Sequence, residues 1–180
     1  MAVTNDLLII GQQERELAFA KFDEGDAWKL GQSLREWGLA NGGPIAIDVR
    51  TFNRPLFFVA LPGSPPDNID MIRRKSNVVN RYRRSSYAIG LEMIAKSATL
   101  VERYALPLRD YAPYGGAFPI ILKKSGVVGS VTVTGTDERQ DHMLVVTAIC
   151  EILGMDIGPY ALTVKSDDIA TEVQSDHRSL

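Results

Sequence analysis

Residues 117–153 carry the pattern that most limits how this chain can fold. Two apolar, β-branched runs, Ala117–Lys123 and Val127–Thr134, flank the turn sequence Lys124-Ser125-Gly126 and predict an antiparallel hairpin. The stretch from Glu138 to Leu153 then repeats apolar residues at helical spacing, and Gly154 can end that helix. A hairpin that leads directly into an amphipathic helix favours a fold in which helices pack on an antiparallel sheet.

The preceding residues predict the rest of that architecture. The first three elements are a helical lead-in over Thr4–Gln13, a strand over Glu16–Phe22 and a helix from Asp23 to about Leu39. Two strands follow, over Ile45–Thr51 and Leu56–Leu61. One long helix then runs from Asp67 to about Lys96, and Gly90 is its weak point. Together they predict an α+β fold with a five-stranded antiparallel sheet. We expect one domain over residues 1–155, and a polar, loosely held tail over residues 156–180 whose loose part begins at Tyr160.

Composition excludes several classes of function. The 180 residues suffice for one hydrophobic core, and a net charge of −2 argues against general binding to nucleic acid. No apolar run approaches the roughly 20 residues that span a bilayer, and no secretion signal is recognisable, so we expect a cytoplasmic protein without membrane contact. The single cysteine, Cys150, rules out an intrachain disulfide and a multi-cysteine metal site.

His142 is the first residue that could carry chemistry. It shares an apolar stripe of the last helix with Val146, Ile149 and Leu153, so its side chain is expected to face the core. The positive end of the helix dipole disfavours the imidazolium form there. A neutral imidazole could bind a metal or haem, or act as a base. The pattern favours the plainer alternative, a core histidine hydrogen-bonded to a backbone carbonyl or to a strand hydroxyl.

Lys75 is the second such residue, because it lies within the apolar side of the long helix. A lysine in that position either extends its amine to solvent or pairs with a buried acid. Asp48 lies on the opposite side of its strand from Ile47 and Val49, and is the predicted partner. A structural ion pair is favoured over a catalytic lysine. Asp141 is interpreted as an ordinary acid at a helix N-terminus.

Two polar surfaces leave their roles open. Arg73, Arg74, Arg81 and Arg84 lie on the other side of the long helix, and a solvated face or a subunit interface is favoured over a phosphate or nucleic-acid site. One face of the last predicted strand is polar, and it could face solvent, meet another subunit or hold a ligand, with the first two slightly favoured. Its residues are Ser130, Thr132 and Thr134.

The familiar nucleotide, hydrolase, haem-attachment and zinc motifs do not occur in the sequence. Gly115-Gly116 does not extend to a dinucleotide-binding pattern, and there is no Walker loop, G-x-S-x-G elbow, C-x-x-C-H or H-E-x-x-H sequence. The two glycines are expected to let the backbone turn or approach another segment closely before the strand that follows.

A set of short motifs, taken in order, resembles the haem-degrading-domain family, also called GlcG-like or HbpS-like, and in particular its uncharacterised conserved branch. The motifs are Leu56-Phe57-Phe58, Ala60-Leu61-Pro62-Gly63, Pro66-Asp67-Asn68, Arg74-Lys75, Ser85-Ser86-Tyr87, Gly115-Gly116-Ala117-Phe118-Pro119, Val128-Gly129-Ser130-Val131-Thr132-Val133 and Asp141-His142. The resemblance implies a profilin-like fold and a homo-oligomer. It also implies haem as a ligand, because relatives bind haem and degrade it slowly. The chain departs from the family at Gly135-Thr136-Asp137, where relatives carry Gly-Leu-Pro.

Two functional hypotheses follow from these residues and this resemblance. In the first, haem or another small ligand binds between the long helix and the last hairpin. His142 and Lys75 supply the polar groups, Tyr114 and Gly115-Gly116 form the rim, and His142 is the predicted axial ligand; catalytic residues stay unassigned. In the second, the protein is a non-catalytic oligomeric scaffold or adaptor that binds copies of itself or a partner protein.

Overall fold

The computed structural model describes residues 2–162 and has an α+β fold. Its elements in chain order are α1 (Ala2–Glu16), α2 (Glu24–Ala40), β1 (Ala46–Thr51), β2 (Arg54–Ala60), α3 (Asp67–Tyr82), α4 (Ser86–Ala95), α5 (Leu100–Tyr104), β3 (Ala117–Leu122), β4 (Gly126–Thr134), α6 (Glu138–Leu153) and a short 3-10 helix (Gly158–Tyr160). Both predicted hairpins and the last helix are present, within two residues of their expected bounds.

The sheet has four strands in the order β2-β1-β4-β3, all antiparallel, so the predicted fifth strand is wrong. The segment assigned to it, Glu16–Phe22, forms a single bridge in which the Phe19 amide donates to Ile121 O at 2.8 Å. Since α1 extends to Glu16 and α2 begins at Glu24, only seven residues separate the two helices, and the last of them, Asp23, is the cap of α2. The apolar alternation that indicated a strand instead places Leu17 and Phe19 in the core.

The predicted long helix is also wrong, because it breaks between α3 and α4. Arg83 has a left-handed backbone with φ of 58°, and the Ser85 hydroxyl accepts a hydrogen bond from the Ala88 amide as the cap of α4. The break therefore lies near residue 84 rather than at Gly90. Gly90 lies inside α4, where a Cβ atom would come within 2.1 Å of the Pro113 carbonyl oxygen.

The two faces of the sheet are covered by different helices. The main apolar core lies between one face and helices α2 and α6, and includes Leu30, Ile47, Val131 and Ile149. Helix α3 covers the other face. That is the polar strand face, and it is buried within the chain rather than exposed to solvent or a subunit: Ser130, Thr132 and Thr134 are all buried, and the Thr132 hydroxyl shares a hydrogen bond with that of Ser76 at 2.9 Å.

The chain after α6 returns to α1. Tyr160 is buried, its hydroxyl donates to Glu16 Oε2 at 2.7 Å, and its carbonyl accepts from the Gln13 side chain. Tyr160 and Leu162 therefore do not belong to a loose tail, whereas the remainder of that prediction, residues 163–180, lies outside the described part. Among residues 2–162 no helix has both the length and the apolar character needed to cross a bilayer.

Candidate functional site

A buried ion pair joins α3 to the first turn of α6. Lys75 Nζ donates to Asp141 Oδ2 at 2.9 Å and to the Val133 carbonyl at 3.2 Å, and both side chains are almost fully enclosed. Asp141 Oδ1 accepts from the amide and the hydroxyl of Thr136, so both of its oxygens have partners. Asp48, the predicted partner of Lys75, instead pairs with its strand neighbour Arg50.

Burial favours the neutral form of each member of the pair. It lowers the pKa of Lys75, against the charge of Asp141, and it raises the pKa of Asp141, against the charge of Lys75. The four hydrogen bonds described above favour the charged forms of both groups. An enclosed amine with two acceptors has no access to a substrate, so the arrangement holds three segments of the chain together.

Gly116 lies against this ion pair. Its φ of +123° belongs to a backbone region that side chains rarely adopt. An added Cβ atom would lie 2.2 Å from Val133 O and 2.9 Å from Lys75 Nζ. The close approach that the sequence predicted for Gly115-Gly116 is therefore confirmed at Gly116, and it brings Gly116 and Lys75 into contact.

His142 is fully enclosed and lies in a separate polar cluster. Its Nε2 atom is 2.8 Å from Gln13 Oε1, and the Gln13 amide nitrogen donates to the Tyr160 carbonyl at 2.7 Å, so His142 Nε2 is the donor. The rings of Tyr87 and Phe118 pack beside the imidazole. Burial, with the charge of Arg139, lowers the pKa of His142 to about 3. His142 is therefore a neutral core histidine, as the favoured alternative had it, but the expected partner was wrong: Nε2 bonds to a side chain of α1 rather than to a backbone carbonyl or a strand hydroxyl, and Nδ1 has no hydrogen-bond partner among the described residues.

The structure therefore separates the two predicted polar site residues. Lys75 joins Asp141 and Gly116 where α3 meets the sheet, whereas His142 joins Gln13 under α1. The sequence places Asp141 and His142 next to each other, but consecutive residues of a helix project about 100° apart and so reach different partners.

Tyr114 lines an apolar cavity of about 210 Å³ beside α4. The cavity walls come from α4, α5 and the loop before β3, with Glu138 at the start of α6. The lining residues are Tyr87, Gly90, Leu91, Met93, Ile94, Ala98, Thr99, Leu100, Leu108, Pro113, Tyr114 and Glu138. Neither Lys75 nor His142 is among them.

Backbone contacts on both sides hold Tyr114 in place. The Ser86 hydroxyl donates to the Tyr114 carbonyl, and the same hydroxyl accepts from the Ala117 amide at 3.0 Å. The amide of Gly115 points to Glu138 Oε2 at 3.4 Å, and a Cβ atom on Gly115 would collide with the Glu138 carbonyl. The position of this tyrosine is therefore set by the fold before any ligand arrives.

The residues of these clusters that were not predicted from the sequence as site residues include Asp141, Thr136, Gln13, Tyr87 and Met93. Asp141 and Thr136 complete the environment of Lys75, and Thr136 lies between β4 and α6. The one local feature of the sequence that could have indicated the Thr136–Asp141 contact is a threonine five residues before an acid at the start of a helix. No group of three or more potential metal ligands occurs among the described residues.

A sequence profile of the family described as "Haem degrading protein HbpS-like" matches residues 22–150. The chain belongs to this HbpS-like family. The resemblance inferred from the short motifs is thereby confirmed. A UPF0303 protein of Burkholderia mallei is 52% identical over 163 residues, covering 91% of this chain and 99% of its own length. A UPF0303 protein of Acidobacterium capsulatum is 48% identical over 162 residues, covering 90% and 98%.

Solved structures of similar fold agree with the HbpS-like assignment. The crystal structure of Ybr137w superposes with a TM-score of 0.77 at 27% identity, covering 82% of this chain and 87% of that one. The structure of PduOC in complex with haem has a TM-score of 0.61 at 14% identity, covering 72% and 93%. HbpS itself has a TM-score of 0.57 at 18% identity, covering 77% and 95%. At these last two identities the likeness shows the HbpS-like fold alone.

Proposed function

We propose that this protein binds haem, or a ligand with a similar flat apolar ring system, at the cavity beside Tyr114. The observation that carries the proposal is the cavity itself, whose lining is mainly apolar and includes two tyrosines, Tyr87 and Tyr114, and one methionine, Met93. Membership of the HbpS-like family and the haem complex of PduOC support haem as the first ligand to test.

The size of the cavity defines how such a ligand would bind. Pockets that enclose a drug-sized molecule have volumes of about 300–1,000 Å³, so a cavity of about 210 Å³ takes only one edge of a tetrapyrrole. The apolar surface continues outside it, because Ile94 is 63% exposed and Leu108 is 44% exposed at the rim. The remainder of the ring system would lie on these side chains, and its charged groups would face solvent.

Tyr87, Tyr114 and Met93 are the lining residues of the types that can coordinate haem iron, since tyrosine and methionine both serve as axial ligands. Tyr114 is the best placed of the three, because it is half-buried at the wall while Tyr87 and Met93 are buried. His142 is hydrogen-bonded through Nε2 and enclosed, so ligation by His142 would require the core to open. Within the proposal, Lys75, Gly115 and Gly116 support the segment that carries Tyr114.

A titration with ferric haem tests the proposal directly. We expect a saturable shift of the Soret band in the wild-type protein. Ile94→Glu places a charge on the apolar rim and should weaken binding at least about tenfold, which corresponds to roughly 1.4 kcal/mol. Leu8→Glu on α1 is the matched control, because Leu8 is similarly exposed, at 69%, but does not line the cavity.

An unsaturable response, or equal affinity of the Ile94→Glu and wild-type proteins, would refute binding at this cavity. Loss of Soret absorbance after addition of a reductant in the presence of O2 would extend the proposal from haem binding to slow haem degradation.

The alternative function is that of an oligomeric scaffold, and one surface favours it. Strand β2 is an edge of the sheet, and the large apolar side chains of Trp28, Phe58 and Ile69 are exposed around it. An exposed edge strand with apolar neighbours can pair with another chain. Homo-oligomerisation through β2 is therefore part of the proposal, together with a cytoplasmic setting in which the buried thiol of Cys150 stays reduced.

A further inference from the structure

Side chains of α3 bind three consecutive carbonyl groups in the loop between α5 and β3. Arg74 Nε donates to Leu108 O at 2.7 Å, Arg73 Nη2 to Arg109 O at 2.7 Å, and Asn77 Nδ2 to Asp110 O at 2.8 Å. A fourth bond runs the other way, from the Ala112 amide to the Arg74 carbonyl at 3.1 Å. We call Arg73, Arg74 and Asn77 the loop clamp.

The loop clamp explains half of the arginine face that the sequence left open. The guanidinium groups of Arg73 and Arg74 bind backbone oxygens within the chain, and Arg73 also pairs with Asp70 and Asp110. Hydrogen bonds from a charged donor are about twice as strong as those between neutral groups. The side chains of these two arginines therefore bind the loop and do not form a phosphate site.

The clamped loop forms one wall of the cavity. Leu108, Pro113 and Tyr114 line it, and they lie within or directly after the clamped carbonyls. The opposite wall is α4, where the Pro113 carbonyl fits against Gly90 and the Ser86 hydroxyl binds the Tyr114 carbonyl. The loop is thus attached to α3 on one side and to α4 on the other, and the cavity lies on the α4 side.

We propose that Arg73, Arg74 and Asn77 are positioning residues for the ligand of this cavity. They contact the backbone of the wall and not the ligand, and they set the separation between Tyr114 and Leu108 on one side and α4 on the other. The inference rests on the proposed function, since it assigns a role in binding at the same cavity. Because the wall is already held in place, less conformational entropy is lost from it when a ligand binds.

The test combines one measurement that needs no ligand with one that does. Arg109 is exposed within the clamped loop, so trypsin cleavage after Arg109 in the native protein reports how firmly the loop is held. In Arg74→Gln/Asn77→Ala we expect this cleavage to accelerate, and haem affinity to fall, each by at least about tenfold. Arg74→Lys keeps the charge and one possible donor contact, and should recover part of both effects.

Arg81→Gln is the matched control, because Arg81 is an exposed arginine of the same helix that lies outside the loop clamp. It should leave cleavage and affinity at wild-type values. Unchanged cleavage in the double variant would overturn the loop clamp itself. Faster cleavage with unchanged haem affinity would overturn the positioning role. Absence of saturable haem binding by the wild-type protein would instead overturn the proposed function, and the positioning role with it.

Discussion

The Nζ atom of Lys75 lies 2.9 Å from the point at which a side chain on Gly116 would begin. The ammonium group occupies the space that a Cβ atom would need, and it bonds there to Asp141 and to the Val133 carbonyl. One buried amine thus links α3, β4 and α6, and it lies against the glycine that precedes β3. This contact gives Gly116 a structural role in the segment that carries Tyr114.

Replacement of Gly116 should therefore destabilise the protein more than replacement of a glycine at which backbone strain is the sole cost. Gly116→Ala combines a positive φ with a collision at Val133 O, whereas Gly126→Ala has a positive φ of 74° and no atom within 4 Å of the new Cβ. We expect Gly126→Ala to cost about 1–2 kcal/mol and Gly116→Ala clearly more. Urea unfolding measures both, and equal losses would contradict the close approach at Gly116.

Removal of one member of the buried ion pair should be costly. In Lys75→Met the carboxylate of Asp141 is left buried without its cation, and we expect a loss of about 3–5 kcal/mol in the free energy of unfolding. The exposed pair of Lys21 and Asp23 is the control, because Lys21→Met should cost only about 0–1 kcal/mol. A small loss for Lys75→Met would mean that the pair is neutral or solvated in the native protein.

The sequence predicted local structure better than long-range contacts. The predicted bounds of α6 match the structure, because a capped start, a helical apolar repeat and Gly154 all lie within 18 residues. The break at Arg83 was missed because no glycine or proline marks it, although the Ser85 cap was a readable signal. The pairing of Lys75 with Asp141 was not predictable, since it depends on how α3 crosses the sheet.

The candidate site shows the same limit. Burial of His142 followed from helical periodicity, but its partner Gln13 lies 129 residues away, and nothing local indicates that contact. Tyr114 was expected at the rim of a site and lines a cavity, whose other wall exists only because α4 separates from α3.

His142 should make the free energy of unfolding depend on pH. Its folded pKa of about 3 is below the ordinary value of 6.5, so the unfolded chain binds the extra proton between these values. The free energy of unfolding should fall as the pH drops from 6.5 towards 3, by up to about 1.4 kcal/mol per pH unit from this residue. His142→Gln should lack this part of the slope in urea titrations. Parallel curves for the two proteins would show that His142 does not remain neutral in the folded state.

Self-association through the edge of the sheet predicts a selective effect at Phe58. Phe58 on β2 and Leu39 on α2 are both 47% exposed, but only Phe58 lies on the edge strand. Phe58→Glu should lower the assembly mass measured by light scattering, while Leu39→Glu should not. A monomeric wild-type protein would end the proposal of assembly.

The spectrum of the ferric haem complex of Tyr114→Phe tests the central claim most directly. This substitution keeps the aromatic ring of Tyr114 and removes its phenol oxygen, while the other lining tyrosine, Tyr87, is buried and unchanged. We predict that the wild-type complex shows a tyrosinate–iron signature in its resonance Raman spectrum, that Tyr114→Phe loses it, and that His142→Gln retains it. Identical spectra for wild type and Tyr114→Phe, with a changed spectrum for His142→Gln, would contradict a haem site at Tyr114.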